Sequence, residues 1–334
     1  MMRKQACSLA LSLVAAGTLF FSPSVKAAEI VKIHYVPGLY AAPLFVAADK
    51  GFFDQAGIKV DMKPTTAVTE VVPFLSTGQI DVAAGGYGAG IFSAISDGIN
   101  IRIVAPMAIT PEDRCPGGLV VRENSGIKSV KELKGKKVAC AGGLVGGSGF
   151  QLIEILEGHG LSGNDVIINN LRFPDQVVAL TQGAVDAAMA SEPFMTKMKQ
   201  ENIATLLECS APGTAVTGVV YGLKFMKERP QAAKNLMVAL MKGFREIQGE
   251  KFFTQEHLEI FNKYTKVAPE VVKQIATFDW DPNMDIGTKT LLKQQATYMK
   301  YGSLKYKTPL KPEQFVDETY VKHALSVLGP YKKR

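Results

Sequence analysis

Beyond residue 27 the chain has no apolar run approaching the roughly 20 residues needed to span a bilayer, so nothing in positions 28–334 reads as a transmembrane helix. Cysteine is scarce, with four residues and no C-x-x-C pair, and His34, His159, His257 and His323 stand apart without zinc-ligand spacing. No G-x-x-x-x-G-K-[ST] occurs, "GSGFQL" (Gly147 to Leu152) lacks the third glycine of a dinucleotide fingerprint, and "GGSGF" has Phe150 where a nucleophile elbow needs glycine. These absences leave no metal or cofactor to expect, and no catalytic centre. Charge is also thin: 38 basic residues face 31 acidic ones, and the lysines of "ELKGKK" (Glu132 to Lys137) and "YKKR" (Tyr331 to Arg334) are not interleaved with stacking groups. No nucleic acid is expected as a partner.

What is present begins with a leader. Arg3 and Lys4 precede the apolar run Leu9 to Phe21, and Val25-Lys26-Ala27 ends in small residues, the pattern of a secretory signal peptide over residues 1–27. Cleavage after Ala27 removes three bases and no acid, so the net charge falls from +7 to +4. Cys7 lies ahead of the apolar run, badly placed for lipid attachment, so a free exported protein of the periplasm is expected. In an oxidising compartment a Cys115–Cys209 disulfide is open to the chain, although sequence does not give connectivity. Cys140 reads as a buried thiol at a strand end.

The remaining length suits two domains. "LSTGQIDVAAGG" (Leu75 to Gly86) recurs 105 positions later as "LTQGAVDAAMAS" (Leu180 to Ser191). Around the first copy, β-branched runs at 30–36, 58–63, 80–85 and 101–107 alternate with helix-like pieces at 43–51, 68–78 and 89–98. Around the second, runs at 136–142, 165–171, 185–191 and 203–209 alternate with helical pieces at 149–160 and 174–183. Each half therefore reads as an α/β lobe with a parallel, doubly wound sheet. A strand at 217–225 and a helical tail follow. The tail is expected to fold back on the first lobe, giving lobe I over 28–122 and 213–334, lobe II over 123–212, and two crossing strands near 108–124 and 210–218 as a hinge.

"APLFVAADKGFFDQAGIKVD" (Ala42 to Asp61), "SVKELKGKKVA" (Ser129 to Ala139), "GGSGFQLIEILEGHGL" (Gly146 to Leu161), "ALTQGAVDAAMASEPF" (Ala179 to Phe194) and "FDWDPN" (Phe278 to Asn283) resemble the solute-binding proteins of ABC importers for nitrate, taurine, sulfonates and thiamine precursors. The resemblance spans essentially the whole mature chain. It implies the type II periplasmic binding fold, closure of two lobes on a small solute, and a membrane permease as partner to a monomer. A related fold serves a fungal pyrimidine synthase, so an exported enzyme or sensor for a thiamine-precursor-like heterocycle is the second reading, with Lys50 as a point of cofactor attachment. That enzyme's cysteine-rich run is missing here.

In open parallel sheets ligands sit beyond the carboxyl ends of the strands. Tyr40, Thr65, Thr66, Gly86 and Tyr87 follow the first lobe's strands; Gly147, Ser148, Arg172, Phe173 and Glu192 follow the second's. The tyrosines either stack on a solute or pack at the rim, and the threonines either contact it or cap helices. Gly147 and Ser148 open a helix whose free amides favour an anion, with Ser148 as cap being the alternative. Arg172 either meets an anionic head group or pairs with Asp175, and Arg114 is a weaker cation of the same kind. Glu192 accepts from a ligand or braces the hinge.

Overall fold

Residues 29–332 are described by a computed structural model; the expected signal peptide lies outside them. The first sheet contains β1 (Glu29–Tyr35), β2 (Ile58–Pro64), β3 (Val82–Gly86) and β4 (Ile101–Pro106). The second contains β5 (Gly117–Arg122), β6 (Lys137–Cys140), β7 (Ile167–Asn170), β8 (Ala187–Ser191) and β9 (Ala204–Cys209), after which β10 (Thr217–Gly222) returns to the first. The strand orders are β2-β1-β3-β10-β4 and β7-β6-β8-β5-β9, the same arrangement twice.

Neither sheet is wholly parallel, as the alternation of strands and helices had suggested. β10 runs against β3 and β4, and β5 against β8 and β9. The cause is connectivity. A strand that arrives directly from the other lobe enters its sheet at the end where the parallel strands finish, so it must run the opposite way. For the same reason the first crossing ends before Gly117, earlier than the expected lobe boundary at 123. Residues 107–116 and 210–216 form the actual crossings, joined by Thr110 N–H to Thr214 O at 3.0 Å and Ser210 N–H to Gly117 O at 3.0 Å. A Cys115–Cys209 disulfide links them.

The repeated phrase has one structural meaning in both places. Asp81 accepts the Lys32 amide at 2.9 Å and Asp186 accepts the Lys137 amide at 2.9 Å, and each Asp amide donates back to the same lysine's carbonyl. The aspartates thus close the gap between β1 and β3 in the first lobe and between β6 and β8 in the second. The copies differ in burial: Asp81 is 4% exposed and ion-paired with Arg229, whereas Asp186 is half-buried and makes no ion pair among the described residues. Asp81→Ala is therefore expected to cost about 3 kcal/mol, because a buried charge pair is broken, and Asp186→Ala only about 1 kcal/mol. Urea denaturation reads both, and equal losses would contradict the assignment.

Helices cover both faces of each sheet. In the first half lie α1 (Ala42–Asp49), α2 (Phe52–Gln55), α3 (Val68–Thr77) and α4 (Ala89–Ser96); in the second, α5 (Gly147–Gly158), α6 (Phe173–Thr181) and α7 (Phe194–Gln200). The tail supplies α8 (Leu223–Glu228), α9 (Pro230–Glu246), α10 (Gln255–Thr265), α11 (Pro269–Val272), α12 (Thr288–Lys300), α13 (Pro312–Phe315) and α14 (Thr319–Leu328). Proline at the first position of α9 starts that helix without sacrificing a hydrogen bond. Its Leu236, Leu240 and Phe244 recur at helical spacing and bury against Val219 and Tyr221 of β10 and against α1. Val220, pointing to the other face, joins Phe92, Tyr298 and Phe315 of α4, α12 and α13. The tail thus completes both faces of the first lobe. In the second lobe α5 covers one face of the sheet, and α6 and α7 the other.

Candidate ligand-binding cleft

The carboxyl ends of the parallel strands of both sheets meet at a cleft of about 90 Å³, room for several waters or a small solute. The first lobe contributes Val36 and Tyr40 after β1, Thr66 and Ala67 between β2 and α3, Val68 and Thr69 at the start of α3, and Gly86 and Gly88 at and after the end of β3. The second contributes Gly142, the start of α5 with Gly147, Ser148 and Gln151, and Phe173 at the start of α6. Thr110, Thr214 and Val216 of the crossings form part of the wall, and Phe278 of the tail completes it.

The most polar feature is the start of α5. Gly146 occupies its N-cap position and no side chain caps the helix, so Ser148 does not play the capping role allowed by the sequence. Ser148 and Gln151 are three residues apart, one helical step, and both line the cleft. The unpaired amides of a helix start, its dipole, a hydroxyl and a carboxamide together suit an oxygen-rich head group. The loop ahead of the helix is held by Asn170, whose side-chain oxygen accepts the Gly142 amide at 2.9 Å.

Aromatic rings furnish the rest. Tyr40 is buried and donates its hydroxyl to Val36 O at 3.0 Å, so it offers the cleft a ring, set edge to face with Phe278. Phe173 stacks on Phe194 behind it. No side chain lining the cleft carries a charge.

Of the residues singled out from sequence, Tyr40, Thr66, Gly86, Gly147, Ser148 and Phe173 come together at this cleft. Four do not. Tyr87 turns its ring into the core, where it is 2% exposed and donates to Ala105 O at 3.0 Å. Thr65 stays with the sheet, its amide bonded to Tyr35 O at 2.8 Å, while the Thr66 hydroxyl meets the Glu70 carboxylate. Arg172 points to solvent and pairs with Asp175 at 2.7 Å, a partner within reach because it lies one helical turn ahead. Arg114 is likewise occupied, by Asp113, Asp279 and the carbonyl of Thr277.

Glu192 braces rather than lines. It is 4% exposed, and its carboxylate accepts the Thr196 amide at 3.1 Å and hydroxyl at 2.8 Å, capping α7. Burial pushes its carboxyl up to about 7 despite those hydrogen bonds. Sequence reasoning missed Thr69, Thr110, Gln151, Thr214 and Phe278. Gln151 carried a signal in its helical spacing from Ser148, and Thr69 in its place at the start of α3 just after β2; Thr110, Thr214 and Phe278 depend on how crossings and tail come together.

Residues 39–250, well over half the chain, match the family described as NMT1/THI5 like. The chain belongs to that family. Among relatives of this NMT1/THI5-like protein, a Bacillus subtilis (strain 168) protein provisionally named an aliphatic sulfonates-binding protein is 26% identical, over 85% of each chain. A 4-amino-5-hydroxymethyl-2-methylpyrimidine phosphate synthase of Aspergillus parasiticus is 27% identical over 46% of this chain and 42% of its own length. The crystal structure of the periplasmic nitrate-binding protein NrtA from Synechocystis PCC 6803 superimposes with a TM-score of 0.74, at 17% identity, over 90% of this chain and 89% of that one. The NMT1/THI5-like chain therefore has the type II periplasmic binding fold, with a helical C-terminal portion. The Bacillus subtilis relative supports a solute-binding role. No described helix is long and apolar enough to cross a membrane.

Proposed function

We propose that the chain is an exported, monomeric receptor of an ABC importer, which captures a small organic solute between its lobes and delivers it to a membrane permease. The observation that carries this reading is the uncapped start of α5 opening into a cleft walled by Tyr40, Phe173 and Phe278. An anionic or oxygen-rich head, sulfonate or carboxylate in type, sits at the helix start, and an apolar or flat body lies among the rings. Neutralisation comes from the helix dipole and hydroxyls instead of a cation.

The alternative, an enzyme on this scaffold acting on a pyrimidine-like heterocycle, is favoured by the Aspergillus relative. Against it stands the cleft's lining, which offers no histidine, cysteine, lysine or carboxylate as nucleophile or base. Lys50 lies away from the cleft, paired with Glu246 at 3.2 Å and Glu256 at 2.9 Å. Its hydrogen bond to Glu256 raises its pKa, the wrong direction for a lysine that must be neutral to form a Schiff base.

Mass spectrometry of the solute co-purified with the mature chain identifies the ligand class, and a thermal-shift series of sulfonates, nitrate, carboxylates and pyrimidines checks it. With the compound so found, Phe173→Ala is expected to weaken binding about tenfold or more, since it removes a ring wall worth at least 1.4 kcal/mol. Arg172→Ala should stay within about threefold of the wild type, because only an exposed ion pair is lost. The opposite ranking in calorimetric titrations would move the site away from this cleft. A compound returned chemically altered would instead establish the enzyme reading.

A further inference from the structure

We infer that α12 is a clasp between the lobes, and that Tyr298 is a positioning residue for the start of α5. This rests on the solute-receptor reading and adds a control over closure. One face of α12 is anchored in the first lobe, where Leu291 and Tyr298 pack with Phe92 and Phe315. From there the helix reaches the second lobe at several points along α5. Lys293 pairs with Glu154, and Lys300 with Glu157 at 2.8 Å. The Tyr301 hydroxyl donates to the same Glu157 carboxylate at 2.7 Å and accepts the Gly163 amide at 3.1 Å. The Tyr298 hydroxyl donates to Gly146 O at 2.9 Å, at the N-cap of the helix whose first amides face the cleft.

Beside the buried contact of Phe150 with Phe92 and Tyr298, the seam is made of polar groups, so closing trades their bonds to water for bonds across it and the net gain is small. The lysines keep their ammonium groups largely in solvent, at 64% and 66% side-chain exposure, which makes their contribution sensitive to salt. Tyr298 ties this balance to the ligand site through a carbonyl that belongs to the loop holding the solute's head.

Distances between spin labels at Ser76→Cys and Thr181→Cys, both exposed and one on each lobe, measure closure without any ligand. A failure here is thereby separable from a failure of the binding assignment. Three backgrounds are compared: the otherwise wild-type chain, Tyr298→Phe, and Lys293→Ala with Lys300→Ala. The labelled parent should populate the short distance, and each variant should shift the short-to-long ratio towards long by about fivefold or more. Hydrogen exchange at the amides of residues 147–150 should rise about tenfold in Tyr298→Phe while the first lobe's exchange is unchanged. The lysine pair is exposed and leaves the fold intact, so an unfolded Tyr298→Phe would not remove the test. A parent already at the long distance, or lysine variants with an unchanged distribution, would overturn the clasp. Unchanged exchange at 147–150 in folded Tyr298→Phe would overturn the role of Tyr298.

Discussion

Gly218→Ala should destabilise the protein by about 3–4 kcal/mol, a large effect for one added methyl group. Gly218 lies on β10, an interior strand of the first sheet, and a Cβ there would sit 1.6 Å from Tyr87 Oη, 2.3 Å from Tyr87 Cζ and 2.5 Å from Ala105 O. Tyr87 cannot swing away, since its ring is buried and its hydroxyl is bonded to that same Ala105 carbonyl. Overpacking of this kind forces backbone movement, typically costing 1–3 kcal/mol, and here a buried hydrogen bond is lost as well. Adding Tyr87→Leu should recover part of the loss but not all, because the Ala105 carbonyl remains in the way. Urea denaturation of the single and double variants decides it. A Gly218→Ala chain within 1 kcal/mol of the wild type would contradict the packing.

The Cys115→Ser, Cys209→Ser double variant is expected to lose about 4 kcal/mol. The bond closes a loop with a sequence separation of 94, and tying two points so far apart removes much of the unfolded chain's freedom. Wild-type protein unfolded under reducing conditions should match the double variant, since Cys140, the other cysteine in the described residues, is a buried free thiol. Denaturation curves that coincide with and without reductant would show that the bridge contributes nothing.

Why the two halves were legible in sequence and the cleft only partly so follows from the range of each signal. Helices ending at Gly78 and Gly183 and aspartates opening the next strands are local, so the strand and helix positions could be read from spacing alone, and both aspartates do the same work in the structure. A crossing strand near 108–124 was expected, but that β5 lies inside the second sheet and runs against it escaped, because its direction and sheet are set by where the chain comes from, which no local pattern records. Ser148 and Phe173 were reachable as strand-end residues. Phe278 was not, for it reaches the cleft only after the tail has wrapped round the first lobe. Arg172 misled because an arginine after a strand looks the same whether it meets a ligand or an aspartate one turn on. Tyr87 misled for a similar reason: its position faces the cleft, but the absence of a side chain at Gly218 leaves room for its ring in the core.

The place of β10 sets an order of events as the chain is made. It is hydrogen-bonded to both β3 and β4, which do not pair with each other, so a nascent chain that has reached only β4 holds two pieces of an unfinished sheet. The second lobe, running unbroken from β5 to β9, has all its strands available before β10 exists. The part that begins first therefore finishes last, and the wall carrying Tyr40 and Thr66 can settle against α5 only after residue 222 has emerged. A chain halted between β9 and β10 would present one finished lobe and one open sheet edge, the state in which an unpaired strand is most exposed to pairing with a neighbour.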